Sequence, residues 1–124
     1  MSEQPHDSAH AERRRSPRVK VGVAIEFKQT GATVASRAET ADINLEGCYI
    51  EMAFTLPVGT KLDLVLWVEE HRLPAKGTVV THHPQFGNGI EFHDMSAEDE
   101  RKLAHFLQTC QQAAENKPEA NTSG

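Results

Sequence analysis

Between Val19 and Phe27 every second residue is apolar, with Val19, Val21, Val23, Ile25 and Phe27 separated by Lys20, Gly22, Ala24 and Glu26. A repeat of two puts these side chains on one face of an extended strand, whereas a helix would scatter them around its circumference. Further segments carry strand character. Ser36 to Ile43 is the weakest, interrupted by Glu39 and Asp42. Cys48 to Met52 follows a glycine. Leu62 to Val68, after a loop marked by Pro57 and Gly59, is apolar enough to be buried on both faces. Leu73 to Thr81 and Gly89 to His93 complete six segments, with Pro84 and the Gly87-Asn88-Gly89 group as turn punctuation between the last two. Strands at this spacing, with no helix among them, predict an antiparallel barrel or sandwich.

One helix follows the strands. Ser96 is placed to cap it, and Glu98, Asp99 and Glu100 put negative charge in a first turn where the helix dipole favours it. Leu103, Phe106, Leu107 and Cys110 recur at helical spacing and form one apolar stripe, expected to pack on the strands. Residues 1–11 and 113–124 are polar and aperiodic, so a flexible tail and a disordered tail are expected around one domain at 12–112. The two cysteines, Cys48 and Cys110, form no metal or redox motif and read as small packing residues. Trp67 lies in the most apolar segment and reads as core. His82 and His83, adjacent on a strand, point to opposite faces and make no metal pair. No apolar run reaches membrane-spanning length and no signal-peptide core is present, so a cytoplasmic protein without membrane insertion is expected.

Charge is spread unevenly. The chain carries a formal net charge of −5, yet five of its thirteen Lys and Arg residues, namely Arg13, Arg14, Arg15, Arg18 and Lys20, lie within eight positions ahead of the first strand. The acidic remainder argues against binding to a nucleic-acid polymer, which relies on a broad basic surface. A small, focused anion fits better. Arginine's planar fork makes paired hydrogen bonds to phosphate oxygens or to the O6/N7 edge of guanine. The Arg-Arg-Arg-Ser-Pro run would also suit phosphorylation at Ser16, a short pattern common by chance. No glycine-rich phosphate loop opens a helix and no nucleophile–base set is visible, so catalysis is not expected.

The second polar constellation is Asp42-Ile43-Asn44-Leu45-Glu46-Gly47, joining two strand segments. Asp and Asn suit a chain reversal, and Gly47 permits a backbone geometry closed to other residues. Alone, this is an ordinary strand–turn–strand connection. Together with the arginine run it resembles the PilZ domain family, known for binding the bacterial second messenger cyclic di-GMP. The family signatures, Arg-x-x-x-Arg and Asp/Asn-x-Ser-x-x-Gly, correspond here to Arg14 and Arg18, then to Asp42, Asn44 and Gly47. The motif order, the strand count, the Gly-Ile-Glu-Phe segment at Gly89 to Phe92 and the closing helix agree with it, from Glu12 to Cys110.

The resemblance implies a mainly β fold, a six-stranded antiparallel β-barrel with a C-terminal α-helix packed on it. It implies a non-enzymatic receptor whose ligand is cyclic di-GMP, with no cofactor or metal. Arg14 and Arg18, with Arg13 and Arg15 adding contacts, would reach phosphate oxygens and guanine acceptor edges. Asp42 would accept from the guanine N1–H and N2–H donors, and Gly47 would let the turn sit close to the ligand. Binding would order the arginine segment and signal to a downstream protein partner. Asn44 occupies the family's serine position; it keeps a donor and an acceptor but brings more bulk to the base. Thr81 falls near a position where many members carry tryptophan, so stacking from there is absent. Asn44 motivates an alternative function, a PilZ-like protein-interaction module that has lost nucleotide binding.

Overall fold

The computed structural model describes residues 17–115. The N-terminal tail expected at 1–11 and most of the C-terminal one lie outside the described residues, as do Arg13, Arg14, Arg15 and Ser16. The strands are β1 (Ala24–Gln29), β2 (Ser36–Ile43), β3 (Gly47–Glu51), β4 (Lys61–Val68), β5 (His71–His83) and β6 (Gly87–His93), followed by helix α1 (Ala97–Glu115). They close into a barrel in the order β1-β2-β3-β6-β5-β4, with antiparallel neighbours throughout. The expected barrel is the observed one, and closure leaves no free sheet edge.

Period-two alternation builds the interior. Val23, Ile25 and Phe27 from the first segment, Leu62, Leu64, Leu66 and Val68 from β4, and Leu73, Ala75 and Val79 from β5 are buried in one cluster. At the other end of the sequence the helix is held by its cap: the Asp99 amide donates to Ser96 Oγ at 3.0 Å. Leu103 and Leu107 join the barrel core, with Phe106 packed against it. The helix passes the β4–β5 turn at Glu69 and, further along, Val19 and Leu45. It thus covers one mouth of the barrel. It runs to Glu115, three residues beyond the expected domain end at 112.

Four expectations need correction. First, β4 is not buried on both faces: its pattern alternates, with Asp63, Val65 and Trp67 only half-buried on the outside. A barrel has a single interior, so a strand with apolar residues on both faces must still turn one outward. Trp67 is accordingly not core, although its indole Nε1 is shielded from solvent and finds no hydrogen-bond partner. Second, regular β1 begins at Ala24 rather than Val19. Upstream, the Thr40 side chain stands in for a ladder bond: its Oγ1 accepts from the Val23 amide at 3.0 Å and donates to the Val21 carbonyl at 2.8 Å.

Third, Gly87-Asn88-Gly89 is not a turn but the first half of β6, the reversal falling at 84–86 with Gln85 at φ 70°. Asn88 is fully buried; its Oδ1 accepts from the Leu56 amide, and its Nδ2 donates to the carbonyls of Leu56 and Thr81. It pins the β3–β4 loop to the barrel. Fourth, Gly47 does not adopt the special backbone geometry expected of it. Its φ lies outside the left-handed region. An added Cβ would instead run into the Ile90 carbonyl oxygen of β6, whose residue Glu91 is its register partner.

Candidate functional site

The two sequence motifs meet at the start of the barrel. Val19 forms an antiparallel bridge with Ile43, its amide donating to the Ile43 carbonyl at 2.8 Å and its carbonyl accepting from the Ile43 amide at 3.0 Å. Arg18 and Asp42, each one residue from the bridge, therefore lie diagonally across it on the opposite face from Val19 and Ile43, within reach of each other's side chains. Arg18 Nε donates to Asp42 Oδ1 at 2.9 Å, with the two side chains 47% and 26% exposed. A β-bulge between Thr40 and Asp42 sets up this pairing, because the extra residue Ala41 restores the register that turns Asp42 outward opposite Tyr49. The contact with Asp42 is made through Nε, so the two terminal nitrogens of the guanidinium are not the ones that hold this bond.

Asn44 behaves as a turn builder. Its Oδ1 accepts from the amides of both Glu46 and Gly47 at 2.9 Å, while its own amide donates to the Gly47 carbonyl at 2.9 Å. The side chain is buried. Asparagine therefore does here what a serine hydroxyl could do with a shorter reach, ordering the loop between β2 and β3.

Beside the ion pair lies an open cleft of about 420 Å³, lined by Arg18, Glu46, Gly47, Tyr49, Val80, Thr81, Gly89, Ile90 and Glu91. Of the sequence-predicted residues, Arg18 and Gly47 line it, with Asp42 held against Arg18 and Asn44 forming the turn behind Gly47. Arg13 and Arg14 fall outside the described residues. Thr81 lines the cleft too, at the position noted for its missing tryptophan. The structure adds Glu46, Tyr49, Val80, Gly89, Ile90 and Glu91. Val80 is the extra residue of a second bulge, between Val79 and Thr81, and stays 47% exposed. Period two from Gly47 on a strand would have placed Tyr49 on the same outer face; the bulge that exposes Val80 leaves no trace in the sequence. The two histidines diverge as expected, His82 Nε2 lying 2.8 Å from Thr55 Oγ1 and His83 Nδ1 lying 2.9 Å from the Tyr49 hydroxyl.

Charge in the cleft is finely divided. Arg18 is its one lining cation among the described residues, facing Glu46 and Glu91. Behind it, burial pushes the Cys48 thiol up to about 12, an effect that Arg18 opposes and Asp42 reinforces. Buried and held in its thiol form, Cys48 is shielded from reagents that attack through the thiolate. Ellman's reagent at pH 8 should therefore leave Cys48 unmodified in the native protein and label it on addition of denaturant. Rapid native labelling of both cysteines would contradict this placement. Among the described residues, no group of His, Cys, Asp and Glu is arranged to hold a metal ion, and no helix is long and apolar enough to cross a membrane.

A closed barrel with a capping helix, and an arginine–aspartate pair at its rim, define a class. The profile of the PilZ domain matches residues 12–109, and the chain belongs to that family. Solved structures carry the same fold. E. coli YcgR in complex with c-di-GMP aligns with a TM-score of 0.70 at 16% identity, over 86% of this chain and 50% of that one. The Bacillus subtilis inhibitor of motility MotI/DgrA aligns with a TM-score of 0.67 at 19% identity, over 84% and 52%. The isolated PilZ domain of E. coli YcgR with c-di-GMP aligns with a TM-score of 0.65 at 13% identity, over 86% and 98%. The chain thus spans about half the length of YcgR and MotI, and nearly all of the isolated domain. No curated protein sequence matches it.

Proposed function

We propose that this protein is a non-enzymatic, cytoplasmic receptor for cyclic di-GMP, which binds in the cleft beside Arg18 and Asp42. The observation that carries the reading is the 2.9 Å contact between these two residues, one from each family motif, at the edge of a cleft about 420 Å³ in volume. The guanidinium fork of Arg18 would take a phosphate or the O6/N7 edge of a guanine, and the Asp42 carboxylate would accept from the guanine N1–H and N2–H donors. Because Arg18 is balanced by Glu46 and Glu91 in the cleft, neutralising the two ligand phosphates calls for more cations. Arg13 and Arg14 stand close enough in sequence to supply them, Arg15 adding a further charge. Their recruitment would order the arginine segment over the ligand and present a changed surface to a downstream protein. An amide-shift titration with cyclic di-GMP tests this: perturbations should concentrate on Arg18, Asp42, Gly47 and their neighbours. A folded protein whose amides stay unmoved would refute it.

The alternative, an interaction module without nucleotide binding, is motivated by Asn44 in place of serine. Against it stands the role of Asn44 Oδ1 in the turn, where it satisfies the Glu46 and Gly47 amides. Asn44→Ser should accordingly change cyclic di-GMP affinity by less than about threefold, under 1 kcal/mol, because the Oγ of serine can cap the same turn. A gain of tenfold or more in calorimetric titration would show that asparagine obstructs the pocket.

A further inference from the structure

Tyr49 sits where the outer surface of β3 meets β6, and the structure shows why β6 is glycine-rich there. A Cβ on Gly87 would fall 2.7 Å from both Tyr49 Cε2 and the Tyr49 hydroxyl, and one on Gly89 would come within 3.8 Å of Tyr49 Cδ1. The ring therefore lies over a strip of bare backbone. Its hydroxyl is tied to His83 Nδ1 at 2.9 Å, with the two rings tilted at 48° and their centroids 5.8 Å apart. Tyr49 is also the wall shared by two neighbouring depressions, the cleft at Arg18 and a second of about 510 Å³ bounded by Met52, Ala53 and Phe86. Across the cleft from it, the bulge exposes Val80.

A slot with an aromatic side, an aliphatic side and a floor of glycine backbone suits a flat, weakly polar ring. The adjoining Arg18 and Asp42 suit the edge of such a ring. We propose that Tyr49 packs against a purine base of the bound nucleotide and that His83 is a positioning residue holding the tyrosine ring in place. This assignment rests on the receptor reading above. It supplies an aromatic contact from β3 in a chain that has threonine, not an aromatic residue, at position 81.

Tyr49 is the only tyrosine in the chain, so a tyrosine-labelled sample of the full protein reports this ring alone. On saturation with cyclic di-GMP its ring proton signals should shift upfield, the mark of a base stacked on the ring. Tyr49→Ala should weaken binding about ten- to a hundredfold, as loss of one base–aromatic contact does, while Tyr49→Phe, which keeps the ring but loses the hydroxyl bond to His83, should lose only several-fold, matching His83→Ala. His83→Ala should weaken it several-fold and His83→Asn, which keeps a polar atom near Nδ1, should recover it. A purely structural role for His83 would lower the melting temperature without this split in affinity. If the ring signals stay put while the amides of Asp42 and Gly47 shift, the inference is overturned and the receptor reading survives. If nothing shifts, the receptor reading falls and this inference with it. The ring-shift experiment uses the wild-type protein, so it holds even if Tyr49→Ala does not fold.

Discussion

Arg18→Ala should lower cyclic di-GMP affinity by about a hundredfold or more while moving the melting temperature by no more than about 5 °C. The two halves of this result have separate causes. Arg18 is nearly half exposed, and its pair with Asp42 resembles an ordinary surface ion pair, worth about 0–1 kcal/mol to folding. Toward a bound phosphate or guanine, the same guanidinium would make charged, forked hydrogen bonds. Losing them leaves the ligand's anionic oxygens facing Glu46 and Glu91 with one cation fewer. Calorimetric titration and thermal unfolding on the same preparation measure both effects. A variant that binds normally would remove Arg18 from the site, and one that unfolds would show that the ion pair serves the fold instead. Asp42→Ala tests the partner: if the ligand replaces the ion pair rather than adding to it, the double variant should lose less than the sum of the single losses.

Gly47→Ala should destabilise the barrel by about 3 kcal/mol or more in the complete absence of nucleotide, lowering the melting temperature by more than about 10 °C. The added methyl collides with the Ile90 carbonyl oxygen, at the point where Gly47 and Glu91 pair and where the Phe92 amide donates to the Glu46 carbonyl at 2.8 Å. Backbone cannot rotate aside as a flexible side chain can, so the β3–β6 ladder must open locally or the strands must separate. Gly89→Ala provides the comparison. Its Cβ would meet the Thr81 side chain at 3.0–3.1 Å, a tight contact that small movements relieve, and its stability loss should be much the smaller. If Gly47→Ala unfolds at the wild-type temperature and loses only ligand affinity, the glycine serves the ligand and the account of β3–β6 packing is wrong.

The barrel was legible because its interior obeys a rule of two. Val23, Ile25 and Phe27, then Leu62, Leu64, Leu66 and Val68, announce inward faces that no helix would produce, and all are buried together. The helix was legible from its cap and stripe. What sequence alone hid depends on contacts between distant segments. The β4–β5 hairpin turns through Glu69 and Glu70, both in left-handed backbone at φ 50° and 75°, with none of the Asn or Gly that such a two-residue turn favours. Gly87-Asn88-Gly89 has a turn's composition, yet the glycines lie beneath Tyr49 and the asparagine bonds inward to Leu56. The site was half legible: the motifs pointed to Arg18, Asp42, Asn44 and Gly47. Tyr49 and Val80 join them only through strand register and a bulge.

The most direct test of the account is isothermal titration of cyclic di-GMP into the folded protein at moderate salt. A saturable heat with a dissociation constant in the micromolar range or tighter, lost in Arg18→Ala, is the predicted result. No heat with micromolar ligand, from protein whose unfolding transition shows the barrel intact, would contradict it.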